Sequence, residues 1–590
     1  MPTLHWIGKD KVINHHIDVP FKVLEHTYAF DNGKKTEIET NSGNKIIHGD
    51  NLEALKALLP EYEGKVNCIY IDPPYNTGEE KWIYNDNVND PKLKKWLGDV
   101  VGKEGDDLTR DDKWLCMMYP RLKLLYKLLH PQGVFFVSID DNENSNLIQM
   151  CNEIFGKNKF IATNVWQKRY SRENREAIGD VHEYIHVYAK DPKAFKEYRN
   201  LISANEKQLK VYRNPNNDPK GRWRPVPMTA QAGHATKEQF YPILTPTGVT
   251  HYPPEGRCWG IAEATYKKLL SEGKIYFGVT GDSQPNIIRY MSEVEGFVPW
   301  TWWNHEEVGN TDEAKKEIYN ILGKKVEFGT PKPVRLLERI LRIATNPGDL
   351  ILDSFAGTAT TAHAVLNLNA EDNGNRKFIL IEMEDYCENI TAQRIKQAIT
   401  GYRYSGSYKE LLLSEKITLQ SIKKGDDIYN NIEAIKKDSS KTYNDFKVII
   451  EDGNINLYGI SKNSVSIEPT NGSFDFYELG QPIFLEDGNL NESVGEKKIR
   501  KYVYYTETKM PFSEAKHEDN RYYLGKHNDT AYYFNYEKDS ITTLDHAFLS
   551  TIKYKAEQYV IYADNCLLTK AFMTKHHIIF KKIPRDITRF

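Results

Sequence analysis

The stretch Val66-Asn67-Cys68-Ile69-Tyr70-Ile71 is apolar enough to be buried on both faces of a sheet, and it turns at once into Asp72-Pro73-Pro74-Tyr75. No other stretch narrows the fold as much. Consecutive prolines fix φ and carry no amide hydrogens, so the strand ends at Asp72 and backbone carbonyls are left as acceptors beside its carboxylate. A strand buried on both faces belongs to a parallel sheet covered by helices, and such sheets hold ligands at the C-terminal edges of their strands. Asp72 and the Pro73 carbonyl, side by side, suit one amino group. Hydrogen bonds accepted from the exocyclic amine of a nucleobase would free its delocalised lone pair to face a methyl donor. Tyr75 would stack on that base, which leaves its duplex at a cost of about a few kcal/mol. An ordinary surface turn is the alternative reading of so short a motif.

The surrounding rhythm is α/β. Lys45 to Asn51 reads as a short strand with a carboxylate at its end, and Asp50 as the N-cap of a helix with Leu52, Leu55, Leu58 and Leu59 on one stripe. A hydrogen bond to a cofactor is the other reading of Asp50. A helix over Trp114–Leu129 contains Pro120, which is expected to kink it or mark its first turn. A strand over Val134–Ile139, a helix over Leu147–Phe155 and a strand over His182–Ala189 follow. Residues 76 to 112, rich in Asn, Asp and Gly around Trp82 and Trp96, read as a long loop that could close as a flap. Basic and aromatic side chains alternate from Trp166 to Arg175. Lys168, Arg169 and Arg172 are therefore candidates to touch DNA, with a solvated loop as the bland alternative.

From about 195 to 310 the rhythm is lost, and proline, glycine and tryptophan rise. This reads as an inserted domain, with Arg222, Arg224 and Arg257 beside tryptophans as candidates for base edges or phosphates, or for cation-π packing. The α/β pattern returns with a helix from Pro333 to Ile343 and a strand Leu350-Ile351-Leu352 running into Asp353. Small residues follow, then a helix from Thr361 and a strand Lys377–Ile381 ending at Glu382. Small residues let a ligand approach the backbone, and an acidic residue at the end of the next strand is placed to grip a ribose. Residues 400 to 440 read as a long helical stretch with Ile428, Ile432 and Ile435 on one stripe. Beyond it a separate strand-rich domain is expected, including a strand at Lys501–Thr506 and a final strand, helix, strand from Gln558 to Ile583.

With 590 residues the chain calls for two to four domains. No apolar run reaches the length of a membrane span, and no signal sequence opens the chain. Six scattered cysteines argue against disulfides or a metal site and fit a cytoplasmic protein. A formal charge of -3 is neutral on nucleic-acid binding, since 79 Lys and Arg can still gather on one face.

Taken together, these motifs resemble the permuted, beta-class DNA adenine-N6 methyltransferases, in which the catalytic motif precedes the cofactor motif. Asp72-Pro73-Pro74-Tyr75 resembles the catalytic motif. The run Asp353-Ser354-Phe355-Ala356-Gly357-Thr358-Ala359-Thr360-Thr361 resembles the S-adenosylmethionine loop, usually Asp-x-Phe-x-Gly-x-Gly-x-Thr. The resemblance therefore assigns Asp353, Phe355, Gly357, Thr358 and Thr360 to the cofactor, with Ala359 in place of the second glycine. It adds Glu382 for the ribose, Thr330 and Lys332 for the methionine end, and Asp50 near the adenine.

More narrowly, Gly49 to Leu55, Asp72 to Gly78, His182-Glu183-Tyr184-Ile185 and the Glu306 to Pro333 run are similar to modification subunits of type III restriction-modification systems. The resemblance implies a Rossmann-like seven-stranded methyltransferase sheet, with its catalytic half in residues 1–194 and its cofactor half in 311–400. A target-recognition domain would occupy 195–310, and a C-terminal α+β domain for dimerisation or partners 401–590. It further implies a homodimer on double-stranded DNA and an ATP-dependent helicase-nuclease partner. Aspartate at position 72 favours adenine N6, since N4-cytosine enzymes of this kind more often carry serine. An N4-cytosine enzyme, or a recognition and assembly subunit with little or no methylation, remain the other readings.

Overall fold

The computed structural model describes residues 3–585 except 41, 78–94, 96–97, 99, 101–108, 171–176, 204–208, 215–216, 327, 452 and 514–519. Gly78, Trp82, Trp96 and most of the expected flap, as well as Arg172, lie outside the described residues. The chain divides into Met1–Arg199 with Thr301–Phe590, and Asn200–Trp300.

An eleven-stranded sheet organises the larger unit among the described residues. Its strands are β1 (Lys22–Asp31), β2 (Lys34–Thr36), β3 (Lys45–His48), β4 (Val66–Ile71), β5 (Leu129–Ile139) and β6 (Phe160–Gln167). They continue as β7 (His182–Ala189), β8 (Trp302–Trp303), β9 (Leu350–Asp353), β10 (Lys377–Glu382) and β11 (Ser473–Pro482). The order across the sheet is β8-β6-β7-β5-β4-β9-β10-β3-β11-β1-β2. The expected seven strands are its middle, from β6 to β3. Within it β5, β4, β9, β10 and β3 are parallel, and β7 runs against both its neighbours.

Helices on the faces explain why these strands are apolar throughout. Helix α1 (Asn51–Tyr62) is capped by the Asp50 side chain, which accepts from the amides of Leu52 and Glu53. Helix α2 (Arg110–Leu128) starts on a Thr109–Asp112 capping box and runs on through Pro120, so the proline neither ends it nor marks its first turn. Helix α3 (Val334–Ala344) buries Leu336, Leu337, Ile340 and Leu341 and turns Arg335, Glu338, Arg339 and Arg342 away from the core. Helix α4 (Thr360–Asp372) links β9 to β10.

The pairing that positions everything else lies at the centre. Strand β9 runs parallel to β4 with Ile351 opposite Cys68 and Leu352 opposite Ile69. From β4 the chain passes through α2 to β5 on one side; from β9 it passes through α4 to β10 on the other. The connections diverge, and the space between the two strand ends is left open as a crevice.

Three expectations change beyond residue 400. Tyr402–Lys416 is a strand paired along its length with Asn454–Ile467, and helix covers only Leu419–Lys423 and Gly425–Asp438. The tyrosines at 402, 404 and 408 repeat with period two, the strand signal. Lys501–Thr506 lies inside the helix Glu496–Thr508, where Ile499 and Val503 bury at helical spacing and override aromatic strand propensity. The C-terminal part is also not separate: β11 pairs parallel with β3 and antiparallel with β1 inside the central sheet. After it come Tyr523–His527, Thr530–Phe534, Gln558–Ala563 and Ile578–Lys582, joined in one four-stranded sheet.

The smaller unit is narrower than the expected 195–310. Residues 195–198 belong to the helix Pro192–Tyr198, and β8 and the helix His305–Val308 belong to the larger unit. Its strands are short, as the texture suggested: Trp223–Pro227 pairs with Asn286–Tyr290, and Thr229–Gln231 with Arg257–Trp259. Met228, Tyr241, Ile243, Trp259, Tyr266 and Phe277 form its core. Among the described residues no helix is long and apolar enough to cross a membrane.

Leu352 is fully buried at the centre of the sheet. Leu352→Ala is expected to cost about 2–5 kcal/mol by loss of transfer energy and a residual cavity. The exposed Leu485→Ala should stay within about 0.5 kcal/mol. Denaturant unfolding of the two variants checks the contrast.

Candidate active site

Both acidic turns open into one cleft of about 560 Å³, open solvent at its mouth included. Asp72, Pro73 and Tyr75 line it from the end of β4, and Asp353, Phe355, Gly357, Thr358 and Thr360 from the turn after β9. Thr330 and Lys332, on the segment leading into α3, complete it with Phe328.

At the β4 side the charges are tightly arranged. Lys332 Nζ donates to both carboxylate oxygens of Asp72, at 2.9 and 2.8 Å, and to the Tyr75 hydroxyl at 3.0 Å. The Tyr75 hydroxyl donates to Asp72 Oδ1 at 2.8 Å. Burial drives the Lys332 ammonium towards neutrality, yet Asp72 and Glu183 outweigh it and hold the ammonium charged, above the ordinary lysine range. Burial raises the Asp72 carboxyl, and Lys332 offsets this only in part. The motif is braced from behind: Trp114 Nε1 donates to the Pro74 carbonyl at 2.7 Å, which turns that carbonyl away from ligand duty. Asn76, in the left-handed region at φ 63°, donates to Glu143 at 2.5 Å.

At the β9 side the backbone does the work. Ala359 takes φ 62° and ψ 34°, the left-handed conformation a glycine adopts at no cost, and caps α4 without a side-chain hydrogen bond. Thr360 and Thr361, at the start of α4, line the cleft. Gly357 has φ 50°, and a Cβ there would lie 3.3 Å from the Phe328 ring. Asp353 Oδ2 accepts from Thr361 Oγ1 at 2.5 Å and Oδ1 from the Phe355 amide at 3.1 Å. Arg394, fully buried, ties the Thr358 and Thr360 hydroxyls together at 2.9 Å each. Burial pushes the carboxyls of Asp353 and Glu382 each up to about 7.

The cleft thus gathers most of the residues picked out in the sequence, and leaves some out. Glu382 is buried beneath the turn, accepting from the amides of Gly357, Met383 and Glu384 at 2.7 to 3.1 Å. Asp50 serves as the α1 cap and lies 3.4 Å from Arg121. Lys332, expected at a methionine end, sits on the catalytic-motif carboxylate. Lys168, a candidate to touch DNA, is buried and salt-bridged to Asp180 at 2.7 Å and to Glu183 at 3.5 Å. Arg169 is exposed on the larger unit. In the smaller unit Arg222 and Arg257 are exposed, whereas Arg224 is half-buried over the Tyr212 ring at 5.6 Å, the cation-π alternative.

Several contributors carried little sequence signal. Glu183 begins β7 as an inward-facing carboxylate among apolar neighbours, and that alternation was the available clue. Arg121 buries its guanidinium between Met117 and Asn51, and Asn51 in turn donates to the Ser354 carbonyl at 3.2 Å, fixing α1 to the turn after β9. Trp166 is fully buried, with its indole N–H on the Gly309 carbonyl at 2.9 Å. Among the described residues no cluster of His, Cys, Asp and Glu could hold a metal ion.

Comparison with known proteins matches residues 66–393 to the DNA methylase family. The Mod subunit of the type III restriction-modification enzyme StyLTI from Salmonella typhimurium is 38% identical over 362 residues, 60% of this chain and 54% of that protein. The EcoPI Mod subunit from Escherichia phage P1 is 31% identical over 492 residues, 76% of this chain and 72% of that protein. The type II methyltransferase M.KpnI from Klebsiella pneumoniae is 29% identical over 385 residues, 60% of this chain and 84% of that protein. The chain therefore spans just over half the length of the Salmonella relative.

The raised carboxyls have a consequence for stability. Between the ordinary carboxylate range and about 7, the folded protein holds protons on Asp353 and Glu382 that the unfolded chain releases. Their contribution to stability therefore falls as pH rises through that window. Glu382→Gln cannot ionise, so whatever constant cost the amide imposes, the variant should gain on wild type from about pH 5 to about pH 8. Thermal unfolding across that range measures the gap between the two proteins, which is expected to move in the variant's favour.

Proposed function

The chain belongs to the DNA methylase family, and on that premise we propose that it transfers a methyl group from S-adenosylmethionine to N6 of an adenine everted from double-stranded DNA. In this reading it acts at a specific site, as the modification subunit of a type III restriction-modification system. One observation carries it: Asp72, Pro73 and Tyr75 share a single cleft with the turn from Asp353 to Thr361. A nitrogen acceptor and a methyl donor must meet at contact distance, and this cleft is where two such subsites adjoin.

The turn after β9 suits the cofactor. Ala359 already adopts the left-handed conformation for which a glycine is usual, and it is not among the residues that line the cleft. The start of α4, which has no side-chain cap, would offer amides to a carboxylate, and the Ser354 hydroxyl is buried without a hydrogen-bond partner among the described residues. Asp353, Gly357, Thr358 and Thr360 would hold the amino-acid end, with Glu382 and Asp50 at the neighbouring ends of β10 and β3 on the nucleoside side. When bound, S-adenosylmethionine supplies an electrophilic methyl on a sulfonium.

The chain's own residues do the rest. Asp72 and the Pro73 carbonyl accept the two N–H bonds of the exocyclic amine, so that its nitrogen moves towards tetrahedral geometry and its lone pair points into the cleft. Tyr75 offers a ring to the base. The cost of eversion, about a few kcal/mol, is offset by that stacking and by the edge hydrogen bonds. An aspartate at the head of the motif supports adenine over cytosine. Arg222 and Arg257, exposed on the smaller unit, are assigned to DNA. A homodimer and an ATP-dependent restriction subunit complete the reading, in keeping with the relatives' description as subunits of restriction-modification enzymes.

Labelled S-adenosylmethionine and duplex DNA from a source without adenine methylation should yield N6-methyladenine. Asp72→Ala is expected to lower transfer by about 10²–10⁴-fold. DNA affinity should stay within about threefold, because the change removes an acceptor and no phosphate contact. N4-methylcytosine as the product would overturn the base assignment, and an absence of transfer on any such DNA would overturn the activity.

A further inference from the structure

Behind Asp72 stands a second carboxylate that the motif does not contain. Glu183 Oε2 lies 3.1 Å from the Tyr75 hydroxyl, within reach of the one proton that hydroxyl gives to Asp72, and 3.4 Å from Lys332 Nζ. Lys332 and Tyr75 are therefore each shared between two carboxylates. As the array stands, Asp72 takes the larger share, with the ammonium on both oxygens and the phenol on Oδ1.

This arrangement conflicts with the chemistry proposed for Asp72. An ammonium on both oxygens draws off the negative charge that makes a carboxylate a strong acceptor for an incoming amine. Methyl transfer also moves positive charge onto the base nitrogen, beside Asp72, where a second cation in a sheltered cleft repels it. Both difficulties vanish when the donors have somewhere else to go.

We propose that Glu183 is a positioning residue that draws the Lys332 ammonium and the Tyr75 hydroxyl off Asp72 as the target amine arrives, so that the oxygens these two donors occupy can accept from the amine. The inference rests on the methyl-transfer reading. The displacement is small, since both donors are already within 3.4 Å of Glu183. Lys168, anchored on Asp180, faces Oε1 and leaves Oε2 as the receiving atom. The Tyr75 and Trp166 rings, 5.0 and 5.7 Å from Lys332 Nζ, give the ammonium an aromatic wall along the way. Asp140 and Tyr70 complete the titratable groups that act on Glu183, with Asp72, Tyr75, Lys168 and Lys332.

The test is the single-turnover methylation rate of the full chain against pH, on fragmented DNA from a methylation-deficient source, for wild type, Glu183→Gln and Glu183→Asp. A rate that needs Asp72 ionised falls on its acid side, and Glu183→Gln, by removing a charge that raises the Asp72 carboxyl, is expected to move that fall to lower pH. At neutral pH Glu183→Gln should be slower by about a hundredfold, with the KM for S-adenosylmethionine within about threefold of wild type, and Glu183→Asp should recover most of the rate. Equal rates in wild type and Glu183→Gln overturn the proposal. So does a loss in Glu183→Gln that leaves the acid fall where it is in wild type, or that is accompanied by a lowered melting temperature and no recovery in Glu183→Asp. A wild type that transfers no methyl group at all would instead overturn the methyl-transfer reading.

Discussion

The site depends on the parallel ladder between β4 and β9. Cys68 faces Ile351 and Ile69 faces Leu352, so the chain beyond each strand enters the crevice at the same level, Asp72 from one side and the Asp353 turn from the other. A slip of one residue in either strand would exchange the side chains presented to the two helix layers and carry one of the two carboxylates out of level with the other. Fully apolar strands hold that register because each face has its own helix layer, α2 and α3 among them. The cleft is thus a product of core packing before it is a product of loop chemistry.

Around that ladder the structure sets charges against burial. Asp353 and Glu382 are sheltered enough to rise to about 7, and Asp72 is sheltered too but keeps a cation beside it. The difference follows from the neighbours. Asp353 and Glu382 have hydroxyls and amides as partners, while Asp72 has Lys332, which arrives from the segment before α3 and is itself held by two carboxylates. One lysine therefore joins the two halves of the sheet electrostatically, as β4 and β9 join them by hydrogen bonds.

The elements legible in the sequence were those whose signal is local. The strand before Asp72, the Asp353 turn and the stripe Leu336, Leu337, Ile340 and Leu341 could be read because each declares itself within a few residues, and the cleft brings the first two together as the motifs implied. What was not legible depends on partners far along the chain. Lys168 looks like a surface cation in its own neighbourhood and is buried only because Asp180 and Glu183 come round to meet it. Tyr502, Val503 and Tyr504 have strand propensity and lie in a helix because Ile499 and Val503 share one buried face. Ala359 was readable as a departure from a pattern, but only its backbone angles show that the departure leaves the turn in the same conformation.

Strand β11 has a consequence for how the chain is made. It fills the place between β3 and β1, parallel to one and antiparallel to the other, yet it comes from residues more than four hundred positions after them. On the ribosome, β1 and β3 emerge early and wait with unpaired edges until β11 has been synthesised and released from the exit tunnel. Such edges invite association with other nascent chains. Pairing of β11 is therefore a late closing step for β1 and β3.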